Sequence, residues 1–250
     1  MKNILITGAS SGIGKALALQ YAKENSRLIL IARNQQRLQA VADHCLAQGA
    51  MVETVVCDVA QHHQLITVVG ELDRKYPIDV VIANAGIINS VDVKLGREPF
   101  DQMKKVIDIN LLGMMATIDP LIEPMQKRQK WQIVLIASMS ALRGLKLLPA
   151  YSASKAAVMS YGESLYDLLH ADNIKVTTAV PGFIESPLVQ AFPGDTPFKL
   201  SSEQAAIKII QAVNKGKARV SFPFLLGASV RFLALIPLKS AHFLLKRLFY

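Results

Sequence analysis

Cysteine is scarce: Cys45 and Cys57 are the only two in 250 residues, and their spacing suits neither a metal site nor a redox pair. With no disulfide framework to build, a reducing, cytoplasmic setting is expected, with or without peripheral membrane contact. No run of 18 apolar residues occurs, so no ordinary spanning helix is expected. The opening MKNILITGASSG has one lysine and an apolar run that breaks at Gly8, too short for the core of a signal peptide. Histidines are few and scattered; the pair His62-His63 lies in a polar stretch and reads as solvated, so no metal is expected. Linkers, repeats and low-complexity tracts are missing too, which leaves a single domain.

One more absence is local. Residues 1–203 hold 20 bases and 19 acids, whereas residues 204–250 hold eight bases and no acid at all. The net charge of +9 is therefore a property of the C-terminal stretch. Those bases are interleaved with Leu and Phe rather than forming a polar basic face, which argues against nucleic acid as the partner.

What the chain has in quantity is apolar residues, 51% of the total, arranged in short runs. Strand candidates are 3–7, 27–32, 51–57, 79–83, 131–137, 174–180 and 218–222. Near-continuous Val/Ile/Leu runs suit strands covered on both faces. Between them lie amphipathic helix candidates at 12–24, 35–48, 61–75, 99–127, 152–171 and 202–214. Regular alternation of the two predicts an α/β fold: one doubly wound, Rossmann-like parallel sheet of about seven strands with helices on both faces. Residues 1–222 form that domain, and 223–250 form a C-terminal helical extension.

In such a sheet, ligands gather beyond the carboxyl ends of the strands. TGASSGIG follows the first strand directly. Gly8, Gly12 and Gly14 permit a tight turn, and the next helix aims its N-terminus at the same spot, making a phosphate site. The spacing G-x3-G-x-G differs from the usual dinucleotide pattern. After the second strand stands Ala32-Arg33-Asn34, with no acid to bind ribose hydroxyls or repel a 2′-phosphate. Arg33 supplies a fork of donors for that phosphate, and the combination favours NADP(H) over NAD. Asp58 and Val59 follow the third strand, and Asn84-Ala85-Gly86 the fourth, all expected at the cofactor crevice. Ser138 closes the fifth strand, and Tyr151 and Lys155 share one face of the next helix. Asn110, in the apolar stretch VIDINLLG, falls mid-way along the helix predicted over 99–127.

Taken in order, TGASSGIG, Asp58, NAG at 84–86, Asn110, Ser138, YSASK at 151–155 and PG at 181–182 resemble the short-chain dehydrogenase/reductase family over roughly residues 3–220. The resemblance implies cofactor contacts from Gly8, Ser10, Ser11, Gly12, Ile13, Gly14, Arg33, Asn34, Asp58, Val59, Asn84, Ala85, Gly86, Tyr151, Lys155, Pro181, Gly182, Ile184 and Ser186. It implies Asn110, Ser138, Tyr151 and Lys155 as the catalytic set. A tyrosine has an ordinary pKa of about 10, too high for a base near neutrality. The Lys155 ammonium and an oxidised nicotinamide would lower it, so that Tyr151 exchanges a proton with a substrate oxygen steadied by Ser138. Lys155 would also hold the nicotinamide ribose, and Asn110 would anchor a water linking Lys155 to solvent. Where the family often has Thr this chain has Ser186, and the first Asn of the family's NNAG is Ala83. The activity implied is hydride transfer between NADP(H) and a carbonyl or secondary alcohol; the alternative class is a nucleotide sensor without turnover. Loops 87–98, 139–150 and 187–200 carry substrate identity, and a homo-oligomer, dimer or tetramer, is implied through the long helices.

The tail departs from the family pattern. On a helical projection Leu238, Ala241, Leu244, Leu245, Leu248 and Phe249 share one arc, and Lys239, His242, Lys246 and Arg247 the other. Three readings stand for 225–250: an anchor on anionic lipid, a lid over the substrate cleft, or ordinary packing on the core.

Overall fold

A computed structural model describes residues 1–92, 94–129, 131–190, 192, 196–241 and 243. Among these the strands are β1 (Lys2–Thr7), β2 (Ser26–Ala32), β3 (Met51–Val56), β4 (Val80–Ala83), β5 (Trp131–Ile136), β6 (Ile174–Pro181) and β7 (Arg219–Phe222). They form one sheet in the order β3-β2-β1-β4-β5-β6-β7, with every neighbouring pair parallel. Parallel neighbours require crossovers, and the chain supplies helices for them: α1 (Gly12–Tyr21), α2 (Gln35–Ala47), α3 (His62–Lys75), α4 (Phe100–Ile107), α5 (Gly113–Arg128), α6 (Pro149–Leu169), α7 (Pro187–Gln190), α8 (Ser202–Asn214) and α9 (Phe224–Leu235).

Side chains alternate across a strand, so one strand feeds two cores. In β1, Ile4 and Ile6 join Leu17, Leu38 and Ile209 of α1, α2 and α8 on one face. Leu5, between them, joins Leu65, Leu121 and Val158 of α3, α5 and α6 on the other. The expected doubly covered, single-domain sheet is therefore the fold. The edge strand β3 is an exception, since Met51 and Val56 are exposed despite the apolar run. Lacking a neighbour on one side, it is covered less completely than the runs of Val and Ile suggested.

Two differences from the sequence reading bear on the site. The helix expected over 99–127 is interrupted at Asp108–Leu112 by a π-helical turn, in which the Gly113 amide reaches back to the Asp108 carbonyl. His62, expected to be solvated, is half-buried, and its Nε2 lies 2.9 Å from that same carbonyl. The extra residue in the turn brings Asn110 inward, and its side chain is 1% exposed. In the stretch expected to be a helical extension over 223–250, a regular helix starts at Phe224, before the projection drawn from 238. Of that projection, His242, Leu244, Leu245, Lys246, Arg247, Leu248 and Phe249 lie outside the described residues; Ala241 is buried.

Helix α6 lies unusually close to the sheet. A Cβ on Gly162 would sit 2.3 Å from Thr178 Oγ1 and 2.9 Å from Leu135 Cδ1. Glycine there lets the helix that carries Tyr151 and Lys155 seat directly on β5 and β6. Gly162→Ala is expected to overpack this contact and cost about 1–3 kcal/mol. At about 2–4 °C per kcal/mol for a chain of this size, the melting temperature should fall by several degrees by circular dichroism. An unchanged melting temperature would show that α6 backs away from the sheet without penalty.

Candidate active site

The carboxyl ends of β1, β4, β5 and β6 open on one cavity of about 620 Å³. Such a volume suits a small-molecule or cofactor site. The first turn after β1 forms its floor. Gly8 and Gly12 have φ of +66° and +52°, a left-handed conformation that side chains disfavour. Space is short as well as conformation: a Cβ on Gly8 would meet the Ala85 Cα at 2.8 Å. Gly14 packs tighter still, since a Cβ there would sit 2.3 Å from the Gly8 carbonyl oxygen and 2.5 Å from Asn84 Nδ2. Asn84 Nδ2 donates to the Thr7 carbonyl at 2.9 Å, and the Thr7 hydroxyl accepts from the Asn84 amide at 3.1 Å. These bonds lock the ends of β1 and β4 together at the point where the winding of the sheet reverses.

Asn110 tethers the neighbouring loop. Its Oδ1 accepts from the Ile87 amide at 2.8 Å, and its Nδ2 donates to the Ile87 carbonyl at 3.0 Å and to Ser154 Oγ at 3.1 Å. A side chain on Gly86 would have to fit between Asn110 Oδ1 at 3.3 Å and Lys155 Nζ at 3.5 Å. Lys155, 5% exposed, donates to the Ile136 carbonyl at 2.8 Å. Its Nζ is 5.9 Å from the centre of the Tyr151 ring. Ahead of Tyr151, the amide of Ala150 donates to Glu98 Oε2 at 2.8 Å, so a buried carboxylate caps the helix at its second residue.

Of the residues expected to hold cofactor, Gly8, Ser10, Ser11, Gly12, Ile13, Arg33, Asn34, Val59, Asn84, Ala85, Gly86, Tyr151, Lys155, Pro181, Gly182, Ile184 and Ser186 line the cavity, and Ser138, expected in the catalytic set, lines it too. Three expected site residues do not. Gly14 stands behind the loop, packed on Gly8; Asn110 is buried beneath Ile87; and the Asp58 carboxylate is turned to Arg33 Nη1 at 3.4 Å and the Ala60 amide at 3.0 Å. Arg33 itself is about half exposed and is held, among the described residues, by that ion pair. Arg37 was missed, although it also lines the cavity. It sits in the first turn of α2, which Asn34 caps by accepting from the Arg37 amide at 2.8 Å. Its signal was available as a second base four residues after Arg33. Thr7 and Glu98 had no such signal, since their roles depend on residues 77 and 52 positions away.

The profile of the short chain dehydrogenases matches residues 2–196. The chain belongs to the short-chain dehydrogenase/reductase family. An uncharacterized oxidoreductase of Myxococcus xanthus is 33% identical over 237 residues, covering 94% of this chain and 93% of that protein. An 11-beta-hydroxysteroid dehydrogenase-like 2 protein of Arabidopsis thaliana is 33% identical over 232 residues, covering 89% and 73%. A short-chain dehydrogenase from Sphingobium yanoikuyae, solved in complex with NADPH, shares the fold with a TM-score of 0.83 at 23% identity, over 95% of this chain and 97% of that one.

Within this fold, burial dominates the electrostatics of the Tyr151–Lys155 pair. Burial pushes the Tyr151 phenol above its ordinary value, and the Ser138 hydroxyl pulls only partly the other way. Burial also lowers the Lys155 ammonium to about 8. Desolvation disfavours the charged form of each group, so the protein alone holds a phenol rather than a phenolate. The expected acidification of Tyr151 joined an oxidised nicotinamide to Lys155; the protein's own groups by themselves leave the phenol raised by burial.

A depressed lysine pKa has a sign that stability measurements resolve. Between about 8 and the ordinary 10.5 the unfolded chain binds more protons at this site than the folded one, so stability rises with pH across that window and is lost as pH falls through 8. The expected contribution is on the order of 3 kcal/mol over the window. Urea unfolding of the wild type and of Lys155→Met at pH 8 and pH 10 isolates it: the wild type should gain on the variant as pH rises. Parallel pH dependences would show that the buried amine keeps an ordinary pKa.

Proposed function

We propose that the protein reduces a lipophilic carbonyl compound, or oxidises the matching secondary alcohol, with NADP(H). The observation that carries this reading is the convergence of Ser138, Tyr151 and Lys155 on the same cavity as the glycine turn Gly8–Ile13. The turn suits the cofactor: its left-handed glycines and the exposed amides at the start of α1 form a cradle that side chains would fill. Ser10, Ser11, Gly12 and Ile13 would hold the pyrophosphate there. Arg33 and Arg37, with the capped Asn34, would face the ribose phosphate that distinguishes NADP(H). Val59 would border the adenine, with Asp58 holding Arg33 beside it, and Pro181, Gly182, Ile184 and Ser186 would border the carboxamide side. When bound, the nicotinamide supplies or accepts the hydride.

The chain's own groups handle the proton and the oxygen. Ser138 donates a hydrogen bond to the substrate oxygen and orients it. Tyr151, kept protonated by burial, gives its proton to that oxygen, which suits the direction of reduction. The Lys155 ammonium steadies the phenolate left behind, now a charge worth offsetting in a dry site. Asn110 acts as a positioning residue, fixing the backbone of Ile87 beside Lys155. Ile88, Met103, Leu145, Leu147 and Phe192 pack against the buried cluster of Val106, Leu148, Ala150 and Tyr151, and these apolar surroundings favour a lipophilic substrate. Retention of both Tyr151 and Lys155 favours turnover over a sensor role. Exposed Leu112 and Leu168 on the long helices are in keeping with a homo-oligomer, and the free, buried Cys45 and Cys57 with a reducing cytoplasm.

Tyr151→Phe should still quench and shift NADPH fluorescence on binding, yet lose turnover of test aldehydes and ketones by about 100-fold or more. Native-rate turnover by this variant would overturn the assignment. Replacing Arg33 and Arg37 together by Ala should weaken NADPH binding roughly tenfold or more and leave NADH binding nearly unchanged, because each lost charged hydrogen bond costs about 1.5–3 kcal/mol. Equal losses for the two cofactors would remove the case for NADP(H).

A further inference from the structure

Helix α9 is apolar on both sides. Inward, Leu226 is buried in the core and Val230 packs against it. Outward, Phe224, Ala228, Phe232 and Leu235 recur at helical spacing along one stripe, with Leu225 beside it. Phe224, Leu225, Phe232, Leu235, Leu238 and Phe243 are 60–84% exposed. A helix that is apolar all round belongs in a core or against lipid, and here only one side has a core. Exposed patches of this kind mark interaction sites.

Charge decides what covers it. Arg231 flanks the stripe and Lys239 follows it, both exposed. Residues 204–250 contain no acid to balance them. A second copy meeting the same face across a two-fold axis would set base against base, with no acid from this stretch to neutralise them. An anionic lipid surface accepts both the apolar stripe and the bases. Among the described residues no helix is long and apolar enough to cross a membrane, so the segment lies on lipid rather than spanning it.

We propose that α9 and the residues following it to Ala241 form a docking face for an anionic lipid surface, set beside the Gly182 side of the cavity. The placement follows from close packing at the root of the helix. A Cβ on Gly182 would meet Leu226 Cδ2 at 2.9 Å and Met139 Sδ at 3.4 Å, and a Cβ on Gly227 would meet Met139 Cε at 3.2 Å. Gly182 lines the cavity, so the inward side of α9 packs on the cavity wall and the outward stripe lies on the far side of the same helix. This reading needs no cofactor and stands or falls apart from the reductase assignment.

The test is sedimentation of the full chain with vesicles of phosphatidylglycerol and, separately, of phosphatidylcholine. Binding to phosphatidylglycerol is expected to be at least about tenfold tighter than to phosphatidylcholine and to weaken with added salt. The double variant F232S/L235S, with melting temperature and solution mass compared to wild type, should lose binding by roughly tenfold or more. Lys239→Glu, which alters only an exposed position, should weaken binding to phosphatidylglycerol and leave phosphatidylcholine unaffected. Failure of the full chain to sediment with phosphatidylglycerol, or equal binding by wild type and both variants, overturns the proposal. So does a wild-type dimer that F232S/L235S converts to monomer, which would assign the face to a second copy.

Discussion

Every strand of the sheet runs in the same direction, and that single constraint places the chemistry. Parallel pairing delivers all the carboxyl ends to one edge, where backbone groups no longer have strand partners and turns begin. Gly8, Asn84, Ser138 and Gly182 come from four strands spread over most of the chain, yet they border one cavity. What keeps the edge sharp is close packing without side chains: Gly14 against Gly8, Gly86 between Asn110 and Lys155, Gly162 against Thr178. Each removes a Cβ where two elements have to approach.

The buried Lys155 and Tyr151 carry a cost that the fold meets elsewhere. Two apolar cores, one on each face of the sheet, supply ample burial to tolerate a desolvated amine. The amine is held by one backbone carbonyl and the phenol stays protonated. A site arranged this way sets a neutral phenol and a readily deprotonated lysine against one cavity, the kind of perturbed pair that functional sites hold. Glu98 contributes from a distance, fixing the start of α6 so that Tyr151 has a set position at the wall.

Much of this was legible in the order of residues. The seven strands, the glycine turn, Ser138 and the Tyr151–Lys155 pair follow from local patterns: apolar runs of strand length, φ-permissive glycines, and i,i+4 spacing on a helix. The missing acid after β2 was equally local. Less visible was the π-helical turn at Asp108–Leu112, because a heptapeptide such as VIDINLL reads as plain helix until His62 and Ile87 are brought against it. The exposure of β3 was hidden for a similar reason, since a strand's neighbour count is set by topology and not by its own composition. Arg37 went unnoticed because its place at the cavity depends on the cap that Asn34 provides.

The sequence by itself determined the class of fold, the family and the candidate site residues, since these rest on short-range periodicity and on motifs a few residues long. Only the tertiary structure decided which of them share a cavity, which way their pKa values move, and that one flank of α9 is left uncovered. Burial and desolvation are properties of the packed assembly: they arise from residues far apart in the chain and have no local signature in it.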